Sequence, residues 1–414
     1  MIAQTSTLPA TLSLPPSAPA AARAVFRVLS HLSIGWLQVQ LPDGSSAHFG
    51  AGAHETSAPH AAIRLVNWNV CAAALKSGDI GFAESYLAGH WTTPDLVALL
   101  TLFIANRDEI ESVVYGTWWG SLLYRAKHLF INRNSRRGSQ NNIHAHYDLG
   151  NAFYRLWLDE TMNYSSGWFE SGDRSAALPA AQHAKVQRAL VECGLQPGQR
   201  LLEIGCGWGA LAEQAAREFG AHVTGVTLSR EQLAYARDRL HNAGLAGQVD
   251  LRLQDYRDIA DAPFDAIVSI EMFEAVGREY WAGYFATLRD KLVPGGRACI
   301  QSITIRDDLF ARYVKSTDFI QQYIFPGGLL PSPSAFRAAA HEAGLEVVNE
   351  LAFGADYAET LRRWRERFLA QESPLRALGF DTRFLRIWEF YLAYCVAAFD
   401  TGNTNVMQFT LRRA

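Results

Sequence analysis

From Gln199 onward, short apolar runs alternate with longer stretches in which apolar positions recur every three or four residues. RLLEI, HVTGVTL, VDLRLQD, FDAIVSI and RACIQSITI are short and mostly rich in β-branched residues, and they predict strands. Between them, ALAEQAAREFG and REQLAYARDRLHNAG carry a helical period. Strand, helix, strand order of this kind predicts an α/β fold with parallel strands and helices on both faces. Two later runs, LEVVNELAF and NVMQFTLRR, predict further strands at one end of the sheet, with the helical WRERFLA and IWEFYLAYCVAAF between them.

Upstream the pattern changes. Residues 1–21 are rich in Pro, Ala and Ser and predict a disordered leader, because they offer little apolar surface to bury. Residues 22–131 mix an alternating segment, WLQVQLPDG, with the helical NWNVCAAALKSGDIGFAESYLAG and the apolar DLVALLTLFIANRDEIESVV, which predicts a small α+β domain. Next, Trp118, Trp119, Leu122, Leu123, Leu129 and Phe130 are interleaved with Arg125, Lys127, Arg133, Arg136 and Arg137. This segment reads either as an amphipathic surface for an anionic bilayer or as a packing helix followed by a solvated linker. Residues 132–145 form that basic linker, and 146–414 the second domain.

Composition narrows the classes. A chain of 414 residues with a net charge of −3 has no general attraction for nucleic acid, so no nucleic-acid partner is expected. Five scattered cysteines without CxxC spacing indicate neither a metal site nor a disulfide framework, which fits a reducing cytoplasm. No run of about 18 apolar residues occurs, so any membrane contact is expected to be peripheral.

The first strand of the second domain runs into EIGCGWG and then a helix. Gly205 and Gly207 permit a tight turn and close approach of a ligand, as in dinucleotide-binding loops. The third glycine of that fingerprint and the Lys of a phosphate loop are missing, so phosphate cradling is not indicated. Glu203 instead suits a ligand with a cationic or hydroxyl-rich half, an arrangement that resembles the S-adenosylmethionine loop of class I methyltransferases. Thr227 and Gln232 follow the second strand where a ribose edge would lie, and Gln254 and Asp255 follow the third, near an adenine.

HYDLGNAFYRLWLDETMNYSSGWF, LLEIGCGWG, GVTLSREQ, SIEMFEAVG, DFIQQYIFPGGLLPS and FGADYAETLRRWRERF, in this order, resemble the cyclopropane-fatty-acyl-phospholipid synthase family. The resemblance runs from about His146 to the C-terminus and more loosely covers the first domain. It implies a class I methyltransferase domain with a mostly parallel seven-stranded sheet. It also implies methyl transfer from S-adenosylmethionine to the cis double bond of a phospholipid acyl chain, at an anionic membrane surface on the inner face of the cytoplasmic membrane. A homodimer is a further implication for some relatives. An alkene is a poor nucleophile, so the donor methyl must be held in line with it in a dry tunnel. Tyr164, Trp168, Phe273 and Tyr323 are candidates to stabilise the resulting carbocation by their ring faces, and each reads equally well as a packing residue.

In this family the proton acceptor is thought to be a bound bicarbonate ion. Carried over motif by motif, its pocket falls on Ser166, Glu274, Gln301, the backbone of Ile303, and Tyr357. Tyr164 and Ser165 lie on the cofactor side. Ser166 and Gln301 replace the usual Cys and His, and Ala275 stands where FEH has its His. A serine hydroxyl and a glutamine amide can still bind an anion, but Gln301 does not titrate. The carbocation would then live longer and leave a methyl-branched or exomethylene alkene, which a partner reductase would saturate. Glu271 is an additional carboxylate near Glu274, read either as a desolvated base or as a solvent-facing or cofactor-side group. Ring formation ranks first on sequence, with methyl branching close behind. An ordinary O- or N-methyltransferase and a lipid-binding pseudoenzyme are the remaining readings.

Overall fold

The computed structural model describes residues 14–50, 59–114 and 149–414. The chain divides into two compact units, Met1–Ser121 and Leu122–Ala414.

The first unit contains a four-stranded sheet in the order β2-β1-β3-β4, formed by Trp36–Gln40 (β1), Ser46–Gly50 (β2), His60–Leu65 (β3) and Trp91–Thr92 (β4). β1 is antiparallel to β2 and parallel to β3. Its alternation places Leu37 and Val39 in the core while Gln40 faces out. Described helices cover Ala20–Leu29, Asn69–Leu87, Leu96–Ala105 and Arg107–Val114. The second of these bends at Ser77 and Gly78, where Gly78 adopts φ 58°.

The leader reading needs correction at its end. Ala18 is buried, Arg23 Nη1 donates to its carbonyl at 2.6 Å, and the first helix already begins at Ala20. Composition missed this because AAARAVFRVL buries Ala22, Phe26, Val28 and Leu29 along one stripe, which anchors the residues just before it. Residues 1–13, the basic aromatic segment and the linker expected at 132–145 lie outside the described residues.

The second unit is built on a seven-stranded sheet: Arg200–Ile204 (β5), His222–Thr227 (β6), Val249–Leu253 (β7), Phe264–Ile270 (β8), Leu292–Ile305 (β9), Leu345–Ala352 (β10) and Thr404–Arg413 (β11). The order is β10-β11-β9-β8-β5-β6-β7. β9, β8, β5, β6 and β7 run parallel, and β11 pairs antiparallel with both β9 and β10. The class I methyltransferase fold is therefore present, with the two late strands at one end of the sheet.

Alternation along a central strand explains why consecutive apolar residues are buried on opposite faces. On β5, Leu202 and Ile204 enter one core cluster and Leu201 the other; on β8, Ile267 enters the first, and Ala266 and Val268 the second. A sheet covered on both faces has no polar side to present. Neighbouring β5 and β8 send their following segments to opposite sides, which opens a crevice at their carboxyl ends.

Candidate active site

A cavity of about 340 Å³ occupies that crevice. One part of its wall is the β5 turn, with Glu203, Gly205, Cys206 and Gly207. Gly205 and Gly207 adopt φ of +88° and +50°, a region that favours glycine. A Cβ built on Gly207 would have no neighbour within 4 Å, so the backbone here is open to a ligand. Glu203 is buried, and its Oε2 has no hydrogen-bond partner among the described residues. Burial pushes its carboxyl up to about 8, against the pull of the Ala212 N–H and the charges of Lys185 and Arg239.

Thr227 and Gln232 line the same space and are held together by a 2.9 Å hydrogen bond from Thr227 Oγ1 to Gln232 Oε1. Gln254 and Asp255 line it from the end of β7. Gln254 Nε2 donates to the Asp258 carbonyl at 2.8 Å, and Asp255 receives Arg257 as an ion pair. Ser165 faces the cavity with its hydroxyl accepting from Lys185 Nζ at 2.6 Å.

Lys185 escaped the sequence reading. It is completely buried, between Gln182 Oε1 at 2.7 Å and the Ser165 hydroxyl. Desolvation brings its ammonium down to about 8, although the carboxylates of Glu271, Asp159 and Glu203 favour the charged form. The available signal was positional. Ala181, Lys185 and Ala189 share a stripe of the helix Leu178–Glu192, so a lysine stands where the period calls for an apolar residue.

The other wall carries two carboxyl groups. Glu271 follows β8 with φ +50°, a left-handed conformation that non-glycine residues avoid at a cost of about 1–2 kcal/mol. Its backbone N–H donates to the Gln301 carbonyl at 2.8 Å. Its Oε1 accepts from the Ser166 N–H at 2.9 Å and from Gln301 Nε2 at 2.8 Å, and its Oε2 accepts from Tyr357 Oη at 2.7 Å. Burial raises the Glu271 carboxyl, opposed by these donors and by the Lys185 charge.

Glu274 accepts from the Ile303 N–H and from Ser302 Oγ through Oε1, while its Oε2 is buried without a partner among the described residues. Burial, reinforced by the neighbouring Glu271, pushes Glu274 up to about 8. Near neutral pH the buried site thus favours a protonated Glu274 beside Glu271, whose two oxygens accept three hydrogen bonds.

Of the residues expected to form a bicarbonate pocket, Ser166, Gln301 and Tyr357 are brought together around Glu271, a carboxyl group of the chain itself, while Ile303 serves Glu274. Ser166 differs from expectation in detail: its hydroxyl donates to the Gly167 carbonyl at 2.8 Å, so only its backbone N–H serves the pocket. The nearest carbonyl outcompetes a more distant anion because it needs no further ordering of the chain. Gln301 is oriented from behind. Gln408 Nε2 donates to Gln301 Oε1 at 3.0 Å, and Arg188 Nη1 donates to Gln408 Oε1 at 2.6 Å, leaving the Gln301 NH2 group to face Glu271.

Of the four aromatic candidates, Tyr164 lines the cavity, and its hydroxyl meets that of Tyr391 at 2.8 Å. Phe273 instead packs in the core against Trp281, Tyr284, Phe285 and Phe336. Trp168 lies beneath Arg188, and Tyr323 against Phe319. Phe325, Leu329, Leu330, Tyr391 and Phe399 complete an apolar wall.

The sequence matches the profile of the mycolic acid cyclopropane synthetase family over residues 134–409, about two thirds of the chain. The chain belongs to this family. It is 40% identical over 403 residues to a tuberculostearic acid methyltransferase of Mycobacterium tuberculosis, an alignment covering 96% of this chain and 92% of that protein. It is 36% identical over 358 residues to the cyclopropane-fatty-acyl-phospholipid synthase of Escherichia coli, covering 86% and 89%. A mycolic acid cyclopropane synthase solved with SAH and CTAB superposes with a TM-score of 0.62 at 34% identity, covering 66% of this chain and 98% of that one.

This cyclopropane synthase relative is an S-adenosylmethionine-dependent methyltransferase. The open glycine backbone and the unpartnered Glu203 fit that cofactor, which supplies an electrophilic methyl on a sulfonium. Bound S-adenosylmethionine brings positive charge to a cavity with carboxyl groups at about 8. Binding is expected to release protons, with affinity rising from pH 6 to about 8. Calorimetric titration at pH 7 in buffers of different ionisation enthalpy checks this, and buffer-independent heats would refute it.

The same groups set the stability of the unliganded protein. Glu203 and Glu274 bind more protons folded than unfolded between about 4.5 and 8, so their contribution to stability falls as pH rises through that window. Lys185 binds fewer protons folded between about 8 and 10.5, so its contribution rises there.

Proposed function

We propose that this enzyme methylates the cis double bond of an unsaturated acyl chain in membrane phospholipid, and that the product is a methyl-branched or methylene-bearing chain. The observation that carries this reading is the continuous cavity that joins the glycine turn to the apolar wall of Phe325, Leu329, Leu330, Tyr391 and Phe399. Such a wall accepts a hydrocarbon and keeps water from an electrophilic methyl and from the cation that follows. The named activities of the relatives, on fatty acyl and mycolic chains, support it.

Transfer of the methyl to one alkene carbon leaves a secondary cation on the other. Ring closure requires immediate proton loss from the new methyl. Gln301 is neutral and non-titrating and offers no relay for that proton. A hydride shift then moves the charge to the carbon bearing the methyl, where substitution stabilises it, and proton loss gives an alkene. The retained Glu274 and Tyr357 favour a second reading, the cyclopropane. The enzyme works at the inner face of the cytoplasmic membrane, drawing its substrate from the bilayer.

The test supplies liposomes of cis-monounsaturated phospholipid with unlabelled S-adenosylmethionine for NMR and methyl-deuterated cofactor for mass spectrometry. Olefinic methylene signals with two retained deuteriums, or a branch with three, are expected. Upfield ring-proton signals would establish the cyclopropane instead, and no incorporation into lipid would refute the acyl-chain reading.

A further inference from the structure

The bicarbonate ion that the family resemblance implies does not fit this site. Of its expected donors, the Gln301 side chain and the Tyr357 hydroxyl are engaged by Glu271, which also takes the Ser166 N–H; the Ser166 hydroxyl donates to the Gly167 carbonyl and the Ile303 N–H to Glu274. A free anion would find those donors taken and the Glu271 carboxyl group in its place.

We propose that Glu271 is the proton acceptor of the reaction, a carboxylate tethered where relatives recruit bicarbonate, so that this enzyme turns over without bicarbonate. The proposal rests on the acyl-chain reading above. A carboxylate and a bicarbonate share a trigonal carbon bearing two oxygens with delocalised charge, so one set of donors can orient either. Here that set has three members at 2.7–2.9 Å, two on one carboxyl oxygen and one on the other.

Two features show the placement to be enforced. Glu271 holds a left-handed backbone although it is not glycine, a strain that persists only where surrounding contacts over-determine it. Gln301 is turned donor-first by Gln408, itself held by Arg188. A carboxyl group held in place to accept a proton is served by a donor that does not itself titrate, and a glutamine NH2 is one. Glu271 lines the cavity next to Glu274, so its oxygens adjoin the space of the reacting chain.

In the step itself a C–H bond of the alkyl cation breaks, its proton passes to Glu271, and its electron pair forms the new C=C bond and discharges the cation. The carboxylic acid returns the proton to water once the acyl chain has left.

The left-handed backbone at position 271 indicates the informative variant, because Glu271→Gly removes the carboxylate, relaxes the backbone and vacates the anion seat. In buffer stripped of carbon dioxide, wild-type protein should methylate liposomes at an unchanged rate, with no response to added millimolar bicarbonate. Glu271→Gly should lose at least 100-fold in kcat and regain much of it with bicarbonate or formate. Glu271→Gln, whose amide still fills the seat, should be inactive and unrescued.

A readout independent of turnover is the ¹³C linewidth of labelled bicarbonate, which should broaden with Glu271→Gly and not with wild type. Wild-type activity that disappears without bicarbonate and returns with it would overturn the proposal, as would a fully active Glu271→Gly in stripped buffer or bicarbonate binding to wild type. Wild-type protein inactive on lipid under every condition would overturn the acyl-chain reading instead, and the linewidths would still decide who occupies the seat.

Discussion

Gly205→Val is expected to weaken S-adenosylmethionine binding by at least ~100-fold, about 2.8 kcal/mol, while leaving the protein folded. Gly205 turns the chain from β5 toward the following helix with φ +88°, and its N–H and that of Cys206 both donate to the Val226 carbonyl, at 2.9 and 3.0 Å. A β-branched side chain there is a steric outlier, costing about 1–2 kcal/mol for the backbone alone. Its Cβ would also lie 3.2 Å from the Met272 side chain, and two further carbons would have to displace that chain into the cavity. The loop relieves both problems by moving, which withdraws the open backbone from the cofactor. Calorimetric titration reads the affinity and circular dichroism the fold. Binding within about threefold of wild type would show that this turn does not approach the cofactor.

Trp157→Ala should destabilise the second unit by about 3–5 kcal/mol, the range for emptying a large aromatic site in a core. Trp157 is fully buried, and its ring meets those of Phe153, Tyr154, Tyr164, Trp364 and Trp388 at 5.4–6.3 Å between centroids. Rings meeting mostly edge to face cannot slide to fill a hole without losing several such contacts together. At the usual size scaling the melting temperature should fall by about 10 °C. Activity at a permissive temperature should fall as well, because Tyr164 loses a neighbour while still facing the cavity. A melting shift under about 3 °C would mean that the cluster repacks.

How much of this was legible beforehand depended on the range of the interactions involved. RLLEI and FDAIVSI matched β5 and β8 because burial on both faces of a parallel sheet puts apolar residues at consecutive positions, Leu201 and Leu202 on β5 and Ala266, Ile267 and Val268 on β8. EIGCGWG was legible for a similar reason, since a turn between a strand and a helix needs positive φ at particular steps and glycine supplies it. By contrast, β9 begins at Leu292, ahead of the RACIQSITI run: Leu292 pairs with Phe264 of β8, the register shifts across Pro294, Gly295 and Gly296, and regular pairing resumes at Arg297. The helix at Ala20 was masked by the Pro-rich residues before it.

The order of strands and helices, the cofactor turn and the family were therefore determined by the sequence alone, because local backbone preference and the period of burial act over a few residues. The chemistry of the proton-accepting end was decided only by the tertiary structure. Glu271 could be read as an exposed carboxylate or as a base until the fold brought Ser166, 105 positions earlier, Gln301, 30 later, and Tyr357, 86 later, onto its two oxygens. Ser166 likewise had a hydroxyl available for an anion until the local backbone offered the Gly167 carbonyl first. Lys185 was one residue in a helical stripe until burial against Ser165 and Gln182 removed its water. Desolvation and charge at a site are sums over everything packed around it, and no short stretch of chain contains that sum.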